Sequence, residues 1–306
     1  MERRQFTRLC ASSVLLPVAA SLVACGGGGA DGSGNGLDAA AASGQANPVP
    51  ALPNERIVVS STGTVYTLNK DEQSLSPTSG FALGGWRLGS TQDSCPVDVS
   101  FDAAGRAYVL DVSLGEVRVY SAAGALLATW ASYGSGPGQL AQPTAITVVG
   151  SKVYVADSGN HRVQVFALDG QPLLQFGALD SAASNLGSSF NFPRDVEVGP
   201  QGQMYVLQSG KSRVTVHDAA GKHTSTLDLS RNAQGQRQKV TGIALGPTGD
   251  LVYTELTTGT VCTLNSQGQI KSQLSAQTHY GKPVAALYIA QGRNAQPLLS
   301  GFVNLA

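Results

Sequence analysis

Charged side chains recur at one position of a repeating pattern. In Pro96-Val97-Asp98, Pro143-Thr144-Ala145 and Pro193-Arg194-Asp195, the third residue opens an apolar run. Val240-Thr241-Gly242 and Pro283-Val284-Ala285 continue the series, and Arg56 takes the same position ahead of Ile57. Brought together, Asp98, Asp195, Arg56 and the adjacent Arg194 could bind a cation, a sugar or a polar peptide. The competing reading is that Asp98 and Asp195 accept hydrogen bonds from nearby loop amides, as aspartates at turns do. Other chemistries lack their residues. Zinc needs clustered His or Cys, and the four histidines are scattered at 161, 217, 223 and 279. There is no Asp-x-Asp-x-Asp-Gly calcium loop and no Gly-x-Ser-x-Gly nucleophile elbow. No metal and no cofactor is expected. Asp157, Asn160, His161 and Arg162 look chemical but fall in a hairpin, where Asp and Asn serve turns. Arg162 recurs as Arg213, which favours a structural role.

The elements that must position these residues repeat. Val65-Tyr66-Thr67-Leu68, Ala107-Tyr108-Val109-Leu110, Val153-Tyr154-Val155-Ala156, Met204-Tyr205-Val206-Leu207 and Val252-Tyr253-Thr254-Glu255 are one element, with tyrosines 42, 46, 51 and 48 residues apart. Each proline-led run precedes such a segment, and two further short β-branched or apolar runs follow it. Val163 to Phe166 and Leu173 to Phe176 are examples. Turn residues such as Gly199-Pro200-Gln201-Gly202 and Asp218-Ala219-Ala220-Gly221 separate them. Four strands in each 40–50 residues is the blade of a β-propeller. The fold class is therefore all-β, with the charged slot at the channel mouth and the tyrosines packing the blades. Inner strands start near Ile57, Val99, Ile146, Val196, Ile243 and Ala286, which predicts six four-stranded blades. The alternative is a five-bladed ring in which 56–59 and 64–67 are outer strands of a blade begun by the C-terminus. The third strand of the first repeat is not visible between Asn69 and Phe81.

The segment Gln142-Pro143 through Val153-Tyr154-Val155-Ala156-Asp157-Ser158-Gly159-Asn160-His161-Arg162-Val163-Gln164-Val165-Phe166 to Phe176-Gly177 closely resembles an NHL repeat. The resemblance extends, more loosely, over about residues 55–300. It implies a propeller, commonly six-bladed. Some NHL-like sequences resemble lactonases and lyases that gather acids and histidines at the channel, so a propeller enzyme of that type is the alternative to a binding module. Against it, half of the slot is Ala or Gly.

The N-terminus gives an address. Residues 1–24 read as an export signal, with a basic start and an apolar run from Leu9 to Ala24. Leu22-Val23-Ala24-Cys25 resembles the lipobox of bacterial lipoproteins, which implies lipidation at Cys25. Arg3-Arg4-Gln5-Phe6-Thr7-Arg8-Leu9 resembles the twin-arginine export motif, with a generic basic start as the other reading. Gly26, rather than Asp, follows the cysteine, which by resemblance implies the outer membrane, facing the periplasm. Residues 25–54 read as a flexible Gly/Ala/Pro linker, and 55–306 as the propeller.

Charge excludes one class of partner. The chain holds 20 basic and 20 acidic residues; removal of 1–24 takes Arg3, Arg4, Arg8 and Glu2, leaving 17 against 19, a net charge of −2. Nucleic-acid binding needs a basic surplus. Cys95 and Cys262 are expected to be free thiols, far apart in the ring. The expected role is a lipid-anchored envelope module that binds a protein or a small polar ligand, and an enzyme is the less favoured reading. Since Asp98 and Asp195 lie at loop ends, replacing both with Ala is expected to leave folding intact.

Overall fold

A computed structural model describes residues 55–60, 63–77, 85–88, 94–179 and 189–304, apart from 233–234, 247, 257, 266–267, 275–276, 280–281 and 292–296. The signal, lipidation and linker expectations lie outside the described residues.

The repeats fold as antiparallel blades. The first holds β1 (Glu55–Val59), β2 (Val65–Asn69), β3 (Ser74–Pro77) and β4 (Trp86–Arg87). The second holds β5 (Pro96–Phe101), β6 (Ala107–Asp111), β7 (Glu116–Tyr120) and β8 (Leu126–Trp130). Two short parallel strands, β9 (Ser132–Tyr133) and β10 (Gln139–Leu140), lie in the connection to the third. That blade has β11 (Ala145–Val149), β12 (Lys152–Asp157), β13 (Arg162–Ala167) and β14 (Pro172–Phe176). The fourth has β15 (Pro193–Val198), β16 (Met204–Gln208), β17 (Arg213–His217) and β18 (His223–Asp228). The fifth has β19 (Val240–Leu245), β20 (Leu251–Glu255), β21 (Val261–Leu264) and β22 (Ile270–Leu274). A three-stranded sheet of β23 (Gln277–His279), β24 (Lys282–Gln291) and β25 (Pro297–Asn304) follows.

Among the described residues the chain is thus a propeller of five four-stranded blades, and the expectation of six such blades is corrected. The sixth position in the ring is taken by the three-stranded sheet: β24 lies beside β19 on one side and β1 on the other. Lys282–Gln291 contains no Gly and forms one ten-residue strand rather than two short ones joined by a turn. The alternative closure also fails, because β1 and β2 pair with each other as the inner strands of their own blade. The third strand of the first repeat, unreadable in sequence, is β3, paired with β2 over Tyr66 to Asn69.

Burial explains the pattern. Middle strands are covered on both faces; every residue of β6 is buried, as is β12 after Lys152. Outer strands β8 and β14 are mostly exposed. The apolar clusters lie between blades, not within them. Val58 and Leu68 meet Val99 and Phe101, and Ile146 and Val155 pack with Tyr108 and Leu110. The repeated tyrosines belong to these seams, Tyr108 fully buried and Tyr253 nearly so. Each fully buried large side chain contributes about 1.5–3 kcal/mol, and a blade gains it only when a neighbour is present. Aspartate-led turns join strands as read: Asp218 Oδ1 accepts the Ala220 and Lys222 amides, and Gly221 sits at φ 82°, where a Cβ would press into the Phe176 ring.

Cys262 is a buried free thiol, as expected. It is not bridged to Cys95.

Candidate functional site in the central channel

Antiparallel topology sets two ends. In every blade the turn between second and third strands lies at the same end as the chain entering the first strand. This end is the rim. A clasp repeats around it. The last residue of the second strand accepts the amide of the incoming chain: Cys95 N–H to Asp111 Oδ2 at 2.9 Å, Ala141 to Asp157 Oδ1 at 2.8 Å, Asn191 to Gln208 Oε1 at 3.2 Å and Lys239 to Glu255 Oε1 at 2.9 Å. In the third blade the clasp is fullest. Asp157, with no exposed surface, also accepts Arg162 Nε at 2.7 Å, Asn160 Nδ2 at 2.8 Å and Gln164 Nε2 at 3.1 Å. Arg162 then donates to the carbonyls of Gly136 and Gln139, both at 2.8 Å. The conspicuous hairpin residues are structural, as the sequence favoured.

A second device joins the inner strands, which do not pair with one another as a sheet. Asp98 Oδ2 accepts the Ile146 amide at 2.9 Å and Ser100 Oγ the Val148 amide at 2.9 Å. Thr147 Oγ1 donates to Val196 O at 2.7 Å. Asp195 Oδ2 accepts the Ile243 amide at 3.2 Å, and Arg194 Nε donates to Thr241 O at 2.8 Å. Each aspartate also accepts the amide of its own successor. The alternative reading of Asp98 and Asp195 as amide acceptors therefore describes their geometry, with the amides supplied by the next blade's strand. Both are buried. The expectation that their joint replacement leaves folding intact is corrected for that reason: it would orphan inner-strand amides.

A cavity of about 170 Å³ opens between these strands. Arg56 and Asp98 line it, with Arg56 Nε 3.0 Å from Asp98 Oδ1. Ser100, Thr147 and Glu197 complete its polar wall. Arg194 and Asp195 are not part of the lining; Arg194 is turned to Thr241. Glu197 is the residue the sequence reading missed. Its signal was available: side chains two apart share one face of a strand, so the row Val58, Ser100, Thr147, Glu197 and Ala244 lies one step deeper than the slot. All five line the cavity.

The electrostatics follow from crowding carboxyls in a dry channel. Burial raises Asp98 to about 6, against the lowering pull of Arg56 and the Ile146 amide; the neighbouring Asp195 adds to the rise. Asp195 is raised, first by burial. Glu197 is pushed well above the ordinary carboxyl range by burial and by the charges of Asp195 and Asp98, with Arg56 opposing. Its side chain makes no hydrogen bond among the described residues. Burial and the neighbouring carboxylates favour the protonated forms of these groups, which can then donate hydrogen bonds as well as accept them. Among the described residues no three His, Cys, Asp or Glu side chains are placed to hold a metal.

Comparison with known proteins agrees with this architecture. Residues 140–166 match the NHL repeat, so the third blade is an NHL repeat within a β-propeller. No curated protein sequence matches the chain. Among solved structures it is similar to a streptogramin B lyase, with 14% identity over 83% of this chain and 78% of that one and a TM-score of 0.61. It is also similar to a catalytically inactive virginiamycin B lyase from Staphylococcus aureus with quinupristin, at 15% identity over 68% and 64% of the two chains and a TM-score of 0.51. At these identities the likeness is one of fold.

Proposed function

We propose that the protein is a binding module whose propeller takes a small polar ligand, bearing amine or hydroxyl groups, in the channel cavity. One observation carries this reading. Glu197 presents a carboxyl to the cavity without a hydrogen-bond partner among the described residues, beside the Arg56–Asp98 pair. A ligand that supplies donors to Glu197 would satisfy a carboxyl that otherwise needs water. The cavity, at about 170 Å³, is below the ~300–1,000 Å³ of pockets that enclose drug-sized molecules. Residues 1–54 extend the proposal: a lipid at Cys25 and the linker would display the ring in the cell envelope, at the outer membrane facing the periplasm, after export on a twin-arginine signal. The test is a thermal-shift screen of amino acids, polyamines and small polyols. A ligand should raise the melting temperature of the native protein, and Glu197→Gln should abolish the rise. No shift across the set, or a shift retained in Glu197→Gln, refutes it.

A lyase-type activity at the same cavity is the second reading. It is favoured by the raised carboxyls, which could carry a proton, and by the fold shared with a streptogramin B lyase and a virginiamycin B lyase. Quinupristin incubated with the protein and recovered unchanged by chromatography would refute that activity on that substrate. His161, His217 and His223 do not line the cavity.

A further inference from the structure

We propose that the occupant of the channel cavity is a small organic ammonium ion, held by Glu197 and Thr147 and preferred over a neutral or anionic molecule of the same shape. The proposal rests on the reading of this cavity as a ligand site and adds to it the charge of the ligand. Two observations independent of each other carry it: which hydrogen-bonding groups of the wall are already engaged, and how its charges are paired.

The donors around the channel have acceptors within the protein. Asp98 accepts the amides of Val99 and Ile146, Ser100 Oγ that of Val148, and Asp195 those of Val196 and Ile243. Arg56 Nε lies 3.0 Å from Asp98 Oδ1, and Arg194 Nε donates to Thr241 O at 2.8 Å. Thr147 gives its single hydroxyl proton to Val196 O at 2.7 Å. A threonine hydroxyl holds one proton and two lone pairs, so what Thr147 offers the cavity is an acceptor. The same bond places it beside the residue that precedes Glu197. Glu197, whose carboxyl lacks a hydrogen bond among the described residues, lines the cavity at this seam between the third and fourth blades. Ser100 Oγ keeps its own proton and can serve either way. Ala244, the next member of the row, contributes only a methyl group. A wall whose donors are engaged and whose acceptors are not calls for a ligand that donates.

Charge decides which kind of donor. Asp98 has Arg56 against it, and Asp195 is drawn down by both Arg56 and Arg194. Glu197 meets the charges of Asp195 and Asp98, with Arg56 alone opposing them. The flanking strands β11 and β19 contain no ionisable residue. Among the described side chains, three carboxyls thus face two guanidiniums, and the carboxyl left over is the one that lines the cavity without a hydrogen bond. An ammonium group supplies the missing positive charge and three donors. A polyol supplies donors without charge, and an anion would meet the carboxyls. Burial and like charge favour the protonated carboxyl of Glu197 while the cavity holds no cation. Entry of the ammonium ion then sends that proton to solvent, and the carboxylate and ammonium remain as a neutral pair. The volume, about 170 Å³, suits about half a dozen non-hydrogen atoms at ~30 Å³ for each water-sized group.

Serinol (2-amino-1,3-propanediol), glycerol and glycerate test it. Serinol and glycerol differ only in an ammonium for a hydroxyl on the central carbon, and glycerate carries the opposite charge. Titration calorimetry of the native protein at pH 7 should give serinol an affinity about tenfold or more above that of glycerol, since hydrogen bonds to charged groups are the stronger ones, and no binding of glycerate. Glu197→Gln keeps the side chain's shape without its charge and should weaken serinol about tenfold or more. At pH 6 serinol binding should release protons, read as a difference in heat between phosphate and MES buffers. Glycerol or glycerate bound as tightly as serinol, or serinol bound at pH 6 without proton release, overturns the proposal and leaves the cavity standing as a ligand site. Serinol affinity unchanged in Glu197→Gln overturns both. Binding of none of the three overturns the proposal, and a flat thermal-shift screen beside it overturns the ligand site as well.

Discussion

Replacing Asp157 with Ala tests the clasp that orders the rim. The carboxylate has no exposed surface and accepts four hydrogen bonds, from the Ala141 amide and from Asn160, Arg162 and Gln164. Its removal leaves Arg162, itself 8% exposed, as a buried guanidinium without its carboxylate. Removing one member of a buried ion pair costs about 3–5 kcal/mol. For a ring of about 250 residues, each kcal/mol lowers the melting temperature by about 2–4 °C, so the expected fall is roughly 6–20 °C. Scanning calorimetry measures it. Asp218→Ala provides the comparison: it removes an aspartate with two amide bonds at a surface turn and should cost about 1 kcal/mol. A double-mutant cycle of Asp157→Ala with Arg162→Ala should give a coupling above about 1 kcal/mol. A melting temperature within about 2 °C of native, or a coupling near zero, would show that the repeated geometry of the clasp is not a source of stability.

Two buried groups should give opposite pH dependences. The folded chain holds a proton on Asp98 up to about pH 6, which the unfolded chain releases near pH 4. That contribution is full below about pH 4 and falls as pH rises to 6, by roughly 3 kcal/mol. Burial lowers His217 to about 4, so its contribution is full above about pH 6.5 and falls as pH drops to 4, by a similar amount. The raised Asp195 and Glu197 add to the Asp98 trend, so urea unfolding at intervals from pH 4 to 7 should show His217→Gln gaining more stability toward acid than the native protein does. A parallel profile in the variant would refute the assignment. Gly177→Ala should lower stability by more than about 2 kcal/mol in the same assay, because Gly177 has φ 99° and an added Cβ would enter the Phe190 ring; an unchanged midpoint would show that the ring can yield. Asp98→Ala with Asp195→Ala should lower the melting temperature by several degrees, since the Ile146 and Ile243 amides lose their acceptors. An unaltered value would mean water replaces them without loss.

Much of the fold was readable because a blade is a local object. Its strands are consecutive, its turns need Gly, Asp or Pro at fixed places, and its middle strands are apolar without alternation because both faces are covered. Tyr108, Tyr154 and Tyr253 announced themselves as packing residues for that reason. The candidate site was half readable. Arg56 and Asp98 were found by register and do line the cavity. Asp195 and Arg194 were found by the same register, yet their side chains are engaged with Ile243 and Thr241 of the next blade. Glu197 was overlooked because a lone glutamate in Val196-Glu197-Val198 looks like an outward-facing strand residue until the strand is known to be innermost.

The sequence by itself determined the repeating strand order, the turns, the tyrosine seams and the chemical character of the slot, since all of these depend on neighbours within about fifty residues. Tertiary structure decided which groups share the channel. Ring closure brings Arg56 and Asp98 of the first two blades against Glu197 of the fourth, and puts β24 between β19 and β1. It also buries the carboxyls, and it is burial that shifts their protonation. No spacing along the chain encodes that outcome, because the cost of desolvating a charge depends on everything that surrounds it in space.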